Sequence, residues 1–172
     1  MSWWDSYRGV YGAELRAAAR EFSDHGWPVA GCSSAGLLLA TGTTLDVLAM
    51  PAELGRLVCA QLRDSDSMAP VAATPVDMWW FPVVADTALR TLFHDSPDVV
   101  LHSGGDVVLA PPSELPDGPV HWRVSPARTG WALPTTDLIV PAVADAVRWR
   151  ADRLTWPGAQ RPVAGLVVGL RS

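Results

Sequence analysis

Lysine is missing from this chain. All 13 basic residues are arginine, against 18 acidic residues, for a net charge of -5 over 172 residues. Arginine codons are GC-rich, and the abundance of alanine, proline and tryptophan fits the same compositional bias. The acidic balance excludes a surface that coats itself with nucleic acid through bulk charge, but leaves room for a local basic groove. Cysteine is scarce too: Cys32 and Cys59 form no CxxC and no metal-ligand spacing. They are expected to be small buried residues in a reducing compartment. No apolar run reaches the roughly 18 residues of a membrane span. No basic stretch followed by an apolar one marks a secretion signal at the N-terminus. The expected setting is the cytoplasm, with no membrane partner. Charged residues are only 18% of the chain and hydrophobic ones 49%, a globular composition of a size for one domain over 1–172.

Periodicity supplies the elements. Residues 5–24 carry Leu15, Ala18, Ala19 and Phe22 at helical spacing, and the following "HGWPVAG" ends that helix and begins an extended segment. "GLLLATG" and "TLDVLAMP" look like adjacent strands joined by a tight turn at Gly42, Thr43 and Thr44. "PAELGRLVCAQLRD" opens a helix at Pro51 and aligns Leu54, Leu57, Val58 and Leu62. "VAATP" and "MWWFPVV" read as a hairpin, "ADTALRTLFHD" as a short helix, and "VVLH", "DVVLAPPS" and "VHWRVSP" as strands. A last helix runs through "TTDLIVPAVADAVRWRADRL", capped by Thr135 or Thr136 and kinked or restarted at Pro141. Residues 156–172 form a tail with a short strand at 163–168. Hairpins outnumber helical crossovers, so the expected class is α+β, a mostly antiparallel sheet with helices packed over it.

The segment 104–118, "GGDVVLAPPSELPDG", joins a flexible Gly-Gly entry to a Pro-Pro exit on one strand. It contains no Ser-His-Asp order and no Gly-Lys phosphate loop. Gly104 and Gly105 permit the chain to reverse, and Pro111 and Pro112 end the strand. With "AAAREFSDHGWPVAG", "LATGTTLDVLAMP" and "PVDMWWFPV", and in that order, it resembles the N-terminal domain of bifunctional DNA primase-polymerases of the archaeo-eukaryotic primase superfamily. The likeness covers roughly 14–126 and is most specific over "VVLHSGGDVVLAPPSELPDGPVHWRV". It implies a primase-polymerase palm with an RRM-like core, and two-metal phosphoryl transfer by Mg²⁺ or Mn²⁺ held on strand carboxylates.

Carried over by position, most of that chemistry is missing. The first acid matches Asp46, but the second falls on Leu48, and the histidine that meets the nucleotide falls near Met78. The third acid falls near Val100, and Asp98 supplies it only after a two-residue slip, which keeps the strand face. The family's arginine is His102 and its tyrosine Val107. A lone carboxylate cannot hold two magnesium ions against their hydration. The expectation is therefore a catalytically degenerate relative that binds nucleic acid, nucleotide or protein in DNA metabolism. Two other readings stand beside it: a protein-interaction domain without a nucleic-acid role, and an active metal-dependent nucleotidyltransferase with a rearranged site.

The candidate residues follow. Asp46 is either a retained metal-site acid or a strand-end acid bonded to backbone N–H, and Asp98 is its candidate catalytic partner. His102, Ser103, Gly104, Gly105 and Asp106 form a candidate cation or nucleotide-phosphate site, or a plain turn. Trp79, Trp80 and Phe81 alternate between sheet faces, so Trp79 or Phe81 could stack a base or meet a partner if its face is open. Arg148 and Arg150, with Trp149 and Arg153, form a basic aromatic patch that could touch phosphates or simply be solvated. Trp3 and Trp4 are candidates for docking onto the domain or for a homodimer contact.

Overall fold

The structure, a computed structural model, describes the backbone of residues 3–33 and 36–155 and the side chains of 12–33 and 36–153. The predicted tail, its strand at 163–168 and the side chains of Trp3 and Trp4 lie outside the described residues.

Leu15 and Phe22, seven apart, form the buried stripe of α1 (Trp3–Asp24). The chain leaves α1 through Gly26 at φ 76°, and Trp27 N–H donates back to Phe22 O at 2.9 Å. Strands β1 (Val29–Ser33) and β2 (Gly36–Ala40) pair antiparallel, and β7 (Val107–Ala110) adds to the other side of β2. These three make one sheet.

The second sheet has five strands. Its order is β10 (His121–Val124), β4 (Val71–Ala73), β5 (Met78–Val84), β3 (Leu45–Pro51), β6 (Val100–His102), all antiparallel. A two-stranded ribbon, β8 (Glu114–Leu115) with β9 (Gly118–Pro119), closes the turn at Pro116 and Asp117. The α+β class is as the periodicity implies, and the β4–β5 hairpin forms as read.

Two other pairings do not. β2 and β3 are not neighbours, and neither are β6 and β7: in both cases the chain crosses from one sheet to the other. The glycines at these crossings serve a close approach between loops instead of a hairpin reversal. A Cβ on Gly42, which has φ 99°, would lie 2.5 Å from Gly104 N.

β3 shows what the two sheets enclose. Six of its seven residues are buried, because both of its faces are covered. Leu48 and Met50 face α2 (Ala52–Asp64) and α4 (Thr136–Thr155), together with Phe81, Val83, Leu54, Val58 and Ile139. Leu45 and Val47 face α1 and the three-stranded sheet, beside Leu37, Leu39 and Val108. Each fully buried side chain of this kind contributes about 1.5–3 kcal/mol. α2 lies flush on the sheet because residue 55 is glycine; a Cβ there would sit 2.7 Å from the Trp79 ring. On the other face Phe22, Trp27, Trp122 and Trp131 meet at ring distances of 5.5 to 6.1 Å, and His25 stacks on Trp131 at 3.8 Å.

Pro141 neither stops nor restarts α4, which is a single helix through it. It sits on the exposed side, where water can satisfy the carbonyl left free by its missing N–H. Thr136 does not cap α4 with its side chain but donates its hydroxyl to Asp86 at 2.6 Å. Cys32, expected to be buried, is exposed on β1, while Cys59 is half-buried on α2. Among the described residues no helix is long and apolar enough to cross a membrane.

Candidate functional site

Asp46 is the second residue of β3, and only 2% of it is exposed. One carboxylate oxygen accepts a long bond of 3.4 Å from Asp86 N–H; the other has no hydrogen-bond partner. Burial pushes its carboxyl above the usual range, against the opposing pull of the Asp86 and Gly42 backbone and of Arg90. Asp86 fares differently. Its side chain caps α3 (Thr87–Phe93) by accepting from Ala88 N–H at 2.9 Å and takes the Thr136 hydroxyl on its other oxygen. The Thr136 hydroxyl and then the Ala88 N–H hold it below the usual carboxylate range. The corner is thus a buried, under-satisfied acid beneath a well-satisfied helix cap.

Asp98 does not join it. β3 pairs with β6 as Val47 to His102 and Ala49 to Val100. Extending that register puts Asp98 level with Pro51, about 17 Å from Asp46 at the usual rise per residue. Asp98 instead receives Arg150 Nη1 of α4 at 2.8 Å. The structure does not bring the candidate pair together: Asp46 meets the Asp86 N–H, and Asp98, in the bend before β6, meets Arg150. Leu48, at the position of the second acid, is fully buried. The residues present therefore do not fit a two-metal centre, and among the described residues no three His, Cys, Asp or Glu side chains gather to hold a metal ion.

The turn after β6 is closer to Asp46 but is engaged elsewhere. His102 Nδ1 and Asp106 Oδ2 are 4.0 Å apart. Gly105 N–H donates to Thr41 O at 2.9 Å, and Asp106 O accepts both the N–H and the hydroxyl of Thr41, at 2.9 and 3.0 Å. The Gly105 N–H, a donor expected to meet a phosphate, is thereby used to lock the loop 41–44 against 103–106. Gly104 lies under the guanidinium of Arg90, whose Nε donates to Ser103 Oγ at 3.1 Å.

The contact candidates lie in two different settings. Trp79 and Phe81 are core residues, 7% and 0% exposed, because α2 and α4 cover the face they share. Trp80 points the other way, into the space between the sheets. Neither face of β5 is open to a base or a partner. On α4, Arg150 is held by Asp98 and lies 3.9 Å from Glu53, and Arg148 pairs with Asp145. Trp149 is exposed at 44%, with Arg153 4.5 Å above its ring.

A group of arginines without an acidic partner lies on the opposite rim. Arg56 and Arg63 of α2, Arg123 of β10 and Arg128 in the 3-10 turn Pro126–Thr129 make no ion pair or hydrogen bond among the described residues. Three elements supply them, and the only trace in the sequence is the spacing of seven between Arg56 and Arg63 on one helix face. No family model, curated protein or solved structure matches the chain.

Proposed function

We propose that the chain is a catalytically inert relative of the primase-polymerase domain, serving DNA metabolism by binding nucleic acid or nucleotide. The ordered motifs from "GWPV" to "APPS" support the ancestry. One observation carries the loss of catalysis: Asp46 is buried and alone, with Leu48 at its i+2 position and Asp98 held by Arg150 at the far end of the ladder. Two-metal phosphoryl transfer needs several carboxylates converging on solvent-accessible ions. An active nucleotidyltransferase built on Asp46 and Asp98 is therefore disfavoured.

A second reading, a protein-interaction domain without nucleic acid, is favoured by the net charge of -5 and by exposed Trp149. Fluorescence anisotropy of a labelled single-stranded oligonucleotide separates the two. The binding module should hold it at micromolar protein, with affinity falling steeply as salt rises from about 50 to 200 mM. Absence of salt-sensitive binding favours the interaction domain.

A further inference from the structure

The four unpaired arginines form one connected group. Arg56 and Arg123 place their guanidiniums 5.5 and 5.4 Å from the centre of the Trp79 ring. Arg63 and Arg123 both act on the Cys59 thiol, which burial nevertheless pushes up to about 11. Arg63 and Arg128 line one groove, about 360 Å³ in volume, between the C-terminal end of α2 and the β10 edge of the five-stranded sheet. Its floor is apolar: Leu62, Ala69 and Val124, with Met68 51% exposed beside them. The acids nearest in sequence, Asp64 and Asp66, make no ion pair with any of the four.

Exposed arginines without an acidic partner make a local anion-binding surface on a chain whose net charge is -5. The chemistry narrows the anion. Guanidinium groups present planar forks that match a phosphate's oxygens bidentately. The volume falls at the lower end of the range for small-ligand pockets, roughly 300–1,000 Å³. An apolar floor beside cations suits a base and sugar attached to the phosphate.

The geometry points to this groove as a nucleotide-phosphate site, with Arg63 and Arg128 gripping the phosphate, Arg56 and Arg123 flanking it, and the Met68 side of the floor receiving the base. The phosphate could come from a free nucleotide or from a single strand. The assignment rests on the nucleic-acid or nucleotide reading above, and relocates the contact from α4 and β5 to the α2–β10 rim.

Two probes test it on the full chain: labelled oligo(dT) by anisotropy, and TTP by thermal shift without divalent metal. The variants are Arg63→Ala/Arg128→Ala and, as a control, Arg148→Ala. Wild type should bind at least one probe, with the probe identifying the source of the phosphate. The double variant should lose about tenfold or more in affinity, and its salt slope for oligo(dT) should fall by about 0.7, the value for one lost single-strand phosphate contact. Arg148→Ala should bind as wild type does. If the double variant binds both probes like wild type, the groove assignment is wrong while the nucleic-acid reading survives. If wild type binds neither probe, both are wrong. All three arginines are exposed, so thermal melts in buffer should be unchanged and will show that the variants fold.

Discussion

The two charged corners of the helix-covered side of the five-stranded sheet differ in a way the sequence conceals. Asp46 sits at a position where the resembled family keeps a catalytic acid, yet it is buried, with one oxygen unsatisfied. The arginines of the α2–β10 rim match no motif, yet they are exposed, make no ion pair among the described residues, and two of them, Arg63 and Arg128, line a groove. A buried acid can persist as a structural burden, while charges contributed by separate elements can make an open surface. Access and pairing distinguish the corners better than motif position does.

The largest expected effect tests how firmly the acid corner is closed. Gly42→Ala forces a Cβ to within 2.5 Å of Gly104 N at φ 99° and should cost about 3 kcal/mol, lowering Tm by roughly 6–12 °C. Gly105→Ala is the contrast. Its φ is similar at 100°, but no atom lies within 4 Å, so about 1 kcal/mol is expected. Equal losses in thermal denaturation would mean that the two loops are not tightly apposed.

Ser113→Ala comes next. The hydroxyl accepts from Leu37 N–H at 2.7 Å and donates to Leu37 O at 3.3 Å, and Ser113 is fully buried. Losing it should cost about 2 kcal/mol by urea denaturation. A negligible change would free the serine of "APPS" for a role other than joining the β7 exit to β2.

Asp46→Asn sharpens the comparison by pH. The carboxyl's ordinary value is 3.8, and burial raises it in the folded chain. Between these two values the folded state holds the proton more tightly than the unfolded state. The stability supplied by the protonated acid is therefore complete below the ordinary value and declines as pH climbs through the raised one. The variant should be more stable than wild type at pH 7, with the advantage shrinking toward pH 4. A variant less stable at pH 7 would show that Arg90 and the backbone N–H groups satisfy the charged carboxylate. The smallest effect belongs to the groove: Arg63→Ala/Arg128→Ala should change stability by less than about 0.5 kcal/mol, since neither side chain holds the fold.

Helical periodicity revealed α1 to α4 because each repeats its apolar residues over a local stretch. The β4–β5 hairpin was legible for the same reason. The Gly-rich turns at 41–44 and 103–106 were not, because a turn signal marks where the chain bends and carries no information about which sheet receives the next strand. Gly42 and Gly104 meet each other across 62 positions, a constraint without a local pattern. The alternation of Trp79, Trp80 and Phe81 was visible, but the coverage of both sheet faces was not. The fate of Asp98 depended on Arg150, 52 residues away, and the arginine groove on three separate elements. The absence of a second acid at Leu48 was readable at once and weighs most on function.

Primer extension tests the central claim most directly. The full chain is incubated with a primed template, all four dNTPs and Mg²⁺ or Mn²⁺, and the products are resolved by length. An unextended primer, alike for wild type and Asp46→Ala, is the predicted result. Template-dependent extension by wild type that disappears in Asp46→Ala would contradict the account.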